Sequence, residues 1–213
     1  MNLGEIMEIV KITVDALDAV LEMQEEIYKQ MEVKEALERI SRDEMRTILT
    51  DNYSVGVYSD DKLVAMRGFY IPSVDEEEHL ADDAGVDKSR TIYSEIALVH
   101  PIARGKGLQF KMGEILLEEL KKDDRFDHLI ATVMPLNIPS LKNSLKLGLK
   151  IVNTKYKYGG KRRHILHMDL RKNKKPVGEP IEVGFDDFDW MFEHGKDYIG
   201  TEFVNGFITY YKK

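Results

Sequence analysis

The chain contains no cysteine. That single absence removes disulfides, zinc–thiolate centres and thiol nucleophiles from consideration. Long apolar runs are absent as well: no stretch approaches the roughly 20 residues that a helix needs to cross a bilayer, so no membrane partner is expected. Met1 to Met7 shows no basic segment leading into an apolar run, the mark of a secretory signal. A cytoplasmic location is therefore expected by elimination. Positive charge is in deficit, with 31 Lys and Arg against 38 Asp and Glu and a net charge of −7. A nucleic-acid partner, which demands a basic surface, is not expected. What remains is globular in character. A hydrophobic fraction of 43% over 213 residues suits one domain of ordinary size with an appendage and a substantial core.

The most informative pattern present is Val99-His-Pro-Ile-Ala-Arg-Gly-Lys-Gly-Leu108. Thr91 to Val99 reads as a strand. Apolar residues then recur at Leu108, Met112, Ile115, Leu116 and Leu120, one face of a helix expected over Gly105 to Lys121. Gly105 and Gly107 lack β-carbons, so the backbone between strand and helix turns sharply and admits a bulky anion. The helix start leaves its first N–H groups unpaired, with the positive end of the dipole behind them. Such a loop is a diphosphate seat. Two nucleotide readings fail on the residues. A Walker-type loop needs Ser or Thr after the Gly-Lys pair, where Gly107 stands, and a dinucleotide fingerprint needs a third glycine where Phe110 stands.

The rest of the chain alternates between the two periods. Glu8 to Val14 reads as a strand, and a helix from about Asp15 carries Leu17, Val20, Leu21, Ile27, Tyr28 and Met31 on one stripe. Ser41-Arg-Asp-Glu44 is a capping box opening a second helix. Tyr53 to Tyr58 and Leu63 to Ile71 form a hairpin. After the helix at Gly105 come a strand at His128 to Met134, a short helix at Ser140 to Leu147 stopped by Gly148, and a closing hairpin of Ile151 to Tyr158 with His164 to Leu170. Ser73 to Ser89 holds seven acidic residues and reads as an insertion, either an acidic rim that attracts a cationic amine or simply a solvated loop. Residues 171–180 read as a basic linker. Beyond it, Asp186 to His194 is an expected helix and Thr201 to Tyr211 a hairpin centred on Asn205-Gly206. The aromatic tail is expected to pack on the main domain or on a second subunit, the latter making a homodimer.

Val-x-Pro-x-x-Arg-Gly-Lys-Gly-Leu resembles the coenzyme A signature of the GNAT superfamily of N-acetyltransferases. The element order resembles that fold over about residues 8 to 170. The resemblance implies an α/β (α+β) chain. Its central sheet is mixed and mostly antiparallel, with helices on both faces, and residues 171–213 form a small C-terminal α/β extension to a domain of residues 1–170. It implies acetyl-CoA as cosubstrate, no metal, and direct attack by a small-molecule or peptide amine in a ternary complex. On that pattern the backbone of Arg104, Gly105, Lys106, Gly107 and Leu108 cradles the pyrophosphate, and strand backbone at Ala97, Leu98 and Val99 pairs with the pantetheine arm. Asn137 and Ser140 match a second motif, in which the Asn contacts the coenzyme; equally, Asn137 caps the short helix. Ile102 and Gln109 depart from the usual pattern, but neither removes a backbone donor.

Proton transfer is less complete. The resemblance places a tyrosine acid at the position of Ser144, and a serine hydroxyl is a far weaker acid than a phenol of pKa about 10. Tyr156, Tyr158 or water then substitutes, or the thiolate leaves unassisted. Glu95 shares a strand face with Ala97 and Val99 and is either the general base or an ion-pair partner of Arg67 or Arg90. His100 is an alternative base. Lys161-Arg-Arg163, after the Gly159-Gly160 turn, reads either as a contact to the adenosine 3′-phosphate or as a solvated turn. Without the acid, a coenzyme-binding sensor or an assembly module of the same fold is the alternative to an enzyme.

Overall fold

The computed structural model describes residues 8–172 and 176–213. The Met1 to Met7 segment and residues 173–175 of the expected linker lie outside the described residues. In chain order the first elements are β1 (Ile9–Lys11), α1 (Leu17–Gln30), α2 (Arg42–Thr50), β2 (Ser54–Ser59), β3 (Lys62–Tyr70), α3 (Leu80–Ala84) and β4 (Thr91–Val99). There follow α4 (Leu108–Leu120), β5 (His128–Val133), α5 (Ile138–Lys146), β6 (Lys150–Lys157) and β7 (Lys161–Asp169). The last are β8 (Ile181–Gly184), α6 (Phe188–His194), β9 (Tyr198–Val204) and β10 (Phe207–Lys212).

The chain divides into two compact units. The first comprises the residues up to Tyr70 and the segment Glu95–Glu118. Its strands run β1-β2-β3-β4, with β1–β2 and β2–β3 antiparallel. Helix α1 buries Leu17, Val20, Met23 and Ile27, α2 buries Met45, Ile48 and Leu49, and both cover Met66, Ile96 and Leu98 of the strands. The expected capping box on α2 is formed in both directions, Ser41 Oγ accepting from Glu44 N–H and the Glu44 carboxylate from Ser41 N–H. The first strand stops at Lys11 rather than Val14, because Val14–Ala16 wind into one 3-10 turn that brings Ile12 and Ala16 into the same core.

The second unit comprises Ile71–Ser94 and the residues from Glu119 onward. Its strand order is β4-β5-β7-β6-β9-β10-β8. The β4–β5 pair is parallel and the others are antiparallel. The acidic segment is not a loop throughout. Leu80–Ala84 fold as α3, and Asp83 pairs with Lys155 and with Lys157, whose Nζ lies 3.1 Å from Asp83 Oδ2 and also donates to the Glu78 carbonyl at 2.9 Å, while Asp75, Glu77, Glu78, Asp82 and Asp87 stay exposed. His79 is buried and its Nδ1 faces the Tyr93 hydroxyl at 2.9 Å, while that oxygen accepts from Leu80 N–H. Lys161-Arg-Arg163 is likewise not a turn. The turn is Tyr158-Gly159-Gly160, all at positive φ, so the three basic residues start β7, with Arg162 over the Phe188 ring and Arg163 buried. In the tail, Asn205 and Gly206 take φ of 50° and 87° between β9 and β10, the left-handed pair a type I′ turn requires.

Two histidines in β7, His164 buried and His167 half-buried, bear on stability. Burial pushes His164 down to about 3, and burial plus repulsion from His128 pushes His167 down to about 4. In the unfolded chain both titrate near 6.5. Above that pH both states hold neutral imidazole; below it the unfolded state takes up protons that the folded state refuses. Stability should therefore fall as pH drops from about 6.5 towards 4, by up to roughly 1.4 kcal/mol per pH unit for each histidine. Asp127, held low first by Arg90 and then by Arg171, adds acid lability as pH falls through the ordinary carboxylate range and below it. Urea melts across pH 7 to 4 test this, and His164→Asn should flatten the slope even where it lowers stability itself.

Candidate functional site

Strand β4 ends at Val99, and His100 caps one 3-10 turn at Pro101–Ala103. His100 N–H donates to the Val64 carbonyl at 2.9 Å, its Nδ1 accepts from Ile102 N–H at 3.4 Å, and its Nε2 lies 3.3 Å from Glu26 Oε2. The Lys62 ammonium, bonded to both oxygens of Glu26, holds that carboxyl below its usual range. With both ring nitrogens so engaged, His100 anchors the start of the loop rather than standing ready as a base.

Beyond that anchor the backbone turns left-handed twice, at Gly105 (φ 79°) and Gly107 (φ 71°). A β-carbon at either glycine would meet nothing within 4 Å. The requirement for glycine is conformational, and it is set by φ rather than by space. Arg104, Gly105, Lys106 and Gly107 are all exposed, and the chain plunges inward at Leu108. The helix expected from Gly105 begins only at Leu108, since two residues at positive φ cannot belong to a right-handed helix. Its first turn bond runs from Lys111 N–H to the Gly107 carbonyl at 3.1 Å. The helix core is Leu108, Met112, Leu116 and Leu120. Arg67 braces the same turn from β3: it is buried, donates to the Gln109 carbonyl at 3.1 Å, and is pulled by burial to about 10.

Along β4 the alternation is clean. Ile96 and Leu98 enter the core, Glu95 is exposed, and Ala97 and Val99 are half-buried on the opposite face. The parallel ladder with β5 joins Thr91–Tyr93 to His128–Ile130, and Ala97, Leu98 and Val99 lie beyond it. Thus the first unit brings Glu95, Ala97, Leu98, Val99 and the Arg104–Leu108 loop onto one strand–loop–helix segment. Arg90, one of the ion-pair partners expected for Glu95, is instead bound through its guanidinium to Asp127.

The second unit carries the other candidates. Asn137 Oδ1 accepts from Ser140 N–H at 3.2 Å and so caps α5. Ser144 lies one turn further on and is only 4% exposed. Tyr156 is 62% exposed and stacks on Phe192 at 4.7 Å between centroids. Tyr158, at φ 51°, lies with its hydroxyl 3.2 Å from Thr132 Oγ1 and its ring below the Arg163 guanidinium. Sequence reasoning missed the Thr132–Tyr158 pair. Only the Gly159-Gly160 turn signalled that Tyr158 sits in unusual backbone, and nothing local pointed to its partner on β5.

No family model and no curated protein matches the sequence. Solved structures do match. The loading GNATL domain of CurA from Lyngbya majuscula superposes with a TM-score of 0.59 at 12% identity, over 77% of this chain and 98% of that one. YncA from Salmonella typhimurium, solved with its cofactor acetyl-CoA, gives 0.58 at 14% identity over 81% and 99%. The ribosomal-protein-S18-alanine N-acetyltransferase from Escherichia coli gives the same score, identity and coverage. The fold of the chain is therefore the GNAT acetyltransferase fold, as the order of its elements implied.

The Asn137 cap gives a local test. Asn137→Ala removes the acceptor for Ser140 N–H and should lower stability by about 1 kcal/mol, read as a reduced midpoint in denaturant melts. Asn137→Asp keeps the acceptor and should restore it.

Proposed function

We propose that the chain is an acetyl-CoA-dependent N-acetyltransferase of the GNAT superfamily, acting on an amine. The observation that carries the reading is the loop ahead of Leu108, exposed from Arg104 to Gly107. Two left-handed glycines there open the backbone to solvent at the start of a helix of 13 residues. Such a loop fits a diphosphate by backbone N–H groups and helix dipole together. On this reading Arg104, Gly105, Lys106, Gly107 and Leu108 hold the coenzyme pyrophosphate. Ala97, Leu98 and Val99, beyond the β4–β5 ladder, offer strand backbone to the pantetheine arm, and Asn137 and Ser140 contact the coenzyme in addition to forming the cap. The solved relative with acetyl-CoA supports the choice of coenzyme.

The transfer balances without an enzyme-bound intermediate. The amine nitrogen attacks the thioester carbonyl, the C–S bond breaks, and the nitrogen sheds a proton as the thiolate departs. Glu95, exposed beside Ala97 and Val99, takes that proton directly or through water. Ser144 stands at the acid position with a buried hydroxyl of little acidity. A thiol of pKa about 8.5 leaves as thiolate at modest cost. That same buried serine favours a second reading, a coenzyme-binding sensor that does not turn over. Cytoplasmic location, a small-molecule or peptide acceptor, and a 1–170 domain bearing a 171–213 extension complete the proposal.

Free-thiol release from acetyl-CoA across a panel of amines separates the readings: turnover supports the enzyme, and binding without turnover supports the sensor. Gly107→Val forces a branched residue to positive φ and should weaken acetyl-CoA at least tenfold, about 1.4 kcal/mol, with a lowered melting point from the backbone strain as well. Unchanged affinity by calorimetric titration would remove the loop from the site. Glu95→Gln should lower turnover by ~10² to 10⁴ at nearly constant coenzyme affinity. Ser144→Ala should cost less than about tenfold, whereas loss of a dedicated acid costs ~10² or more.

A further inference from the structure

The ends of β6, β7, β9 and β10 line an open cleft of about 470 Å³ within the second unit, a size that suits a small organic ligand. None of its lining residues belongs to the loop or to the groups given a role in acetyl transfer. Lys150, Lys172, Lys212 and Lys213 line it, against one acidic side chain, Asp169. Asp169 is already committed, its Oδ1 accepting from the N–H groups of Arg171 and Lys172 at 2.9 and 2.8 Å. Cationic side chains therefore outnumber anionic ones. Apart from His167, the remainder of the wall is apolar, including Val152, Met168, Val177 and Ile199.

Two polar groups in this wall are held in place. Lys213 Nζ donates to the carbonyls of Val152 and Lys196 at 3.0 and 2.7 Å; an ammonium has three protons, so one is left for a ligand. The His167 ring also lines the cavity, with its Nε2 3.2 Å from His128 Nδ1. An anchored ammonium, further lysines around the cavity and an apolar wall favour one class of guest. A cation would be repelled, a neutral apolar molecule would leave the ammonium groups unused, and a bare inorganic anion would leave the apolar wall unused.

We propose that this cavity is a second ligand site, binding a small organic anion that carries a carboxylate or phosphate head on an apolar body. Titrations of the full chain with hexanoate and with hexyl phosphate test it. The His167 ring proton signals give the readout, and hexylammonium and inorganic phosphate serve as controls. Both organic anions should shift the His167 signal saturably, and their relative affinities identify carboxylate or phosphate as the preferred head. Hexylammonium should give no shift, and inorganic phosphate should bind at least tenfold more weakly than hexyl phosphate. Raising salt should weaken anion binding. The double variant Lys172→Glu, Lys212→Glu, at two exposed positions, should lose at least tenfold in affinity. The anion response should survive in Gly107→Val, which separates this site from the coenzyme loop. The proposal is overturned by absence of a saturable shift with either anion, an equal response to hexylammonium, salt-independent binding, unaltered affinity in the charge-reversed variant, or loss of the response in Gly107→Val.

Discussion

Two backbone torsions organise the candidate site. Gly105 and Gly107 both sit at positive φ, which ends one element and delays the next. If Gly107 were right-handed, α4 could begin earlier and the N–H groups that now open it would be drawn into helical bonds. Instead the helix starts at Leu108, exactly where the chain turns inward, and the loop before it stays exposed. The loop can hold this shape because both ends are fixed. His100 ties the near end to the Val64 carbonyl and to Glu26, while Arg67 ties the far end through the Gln109 carbonyl. A loop that is exposed yet braced needs less ordering when a ligand arrives.

Much of this was legible in the chain. The strand at Thr91–Val99, the apolar face of α4, the capping box at Ser41 and the Asn205-Gly206 turn rest on spacing or on single-residue conformational preference, and each is local. The boundaries that shifted did so for non-local reasons or through glycine torsions. Val14 looks like a strand residue by type, but the packing of Ile12 and Ala16 into one core turned the chain first. Glu95 and its face were legible because period two is fixed by the pleat. The Thr132–Tyr158 pair was not, since it joins two strands through a turn whose geometry the sequence suggests only by its glycines.

The acidic segment shows the limit of composition most clearly. Its carboxylates invited a reading as a solvated or amine-attracting surface because charge runs usually remain wet. Yet the segment contains its own apolar residues, Leu80 and Ala81, and both are buried. Once that short helix docks, Asp83 has to meet opposite charge, and Lys155 and Lys157 on β6 supply it. Lys157 is itself buried, so neither partner could stand alone at reasonable cost. One carboxylate of the run is thus half of a charge pair whose other half lies more than seventy residues away, while most of the others stay exposed.

The tail follows a similar logic in apolar terms. Six phenylalanine and tryptophan side chains after residue 184 invited the expectation that the segment must pack somewhere. The packing found depends on a residue that composition does not flag, Gly200. Its α-carbon faces Ile151 across the β6–β9 pair, and a β-carbon there would fall 2.8 Å from the Tyr210 ring and 3.1 Å from Ile151. The close approach of β9 to β6 therefore needs a hydrogen at that position. Tyr210 is in turn buried beneath Trp190 of α6. Aromatic bulk and one missing methyl group together set the fit: the rings fill the space, and the glycine sets how near the two strands come.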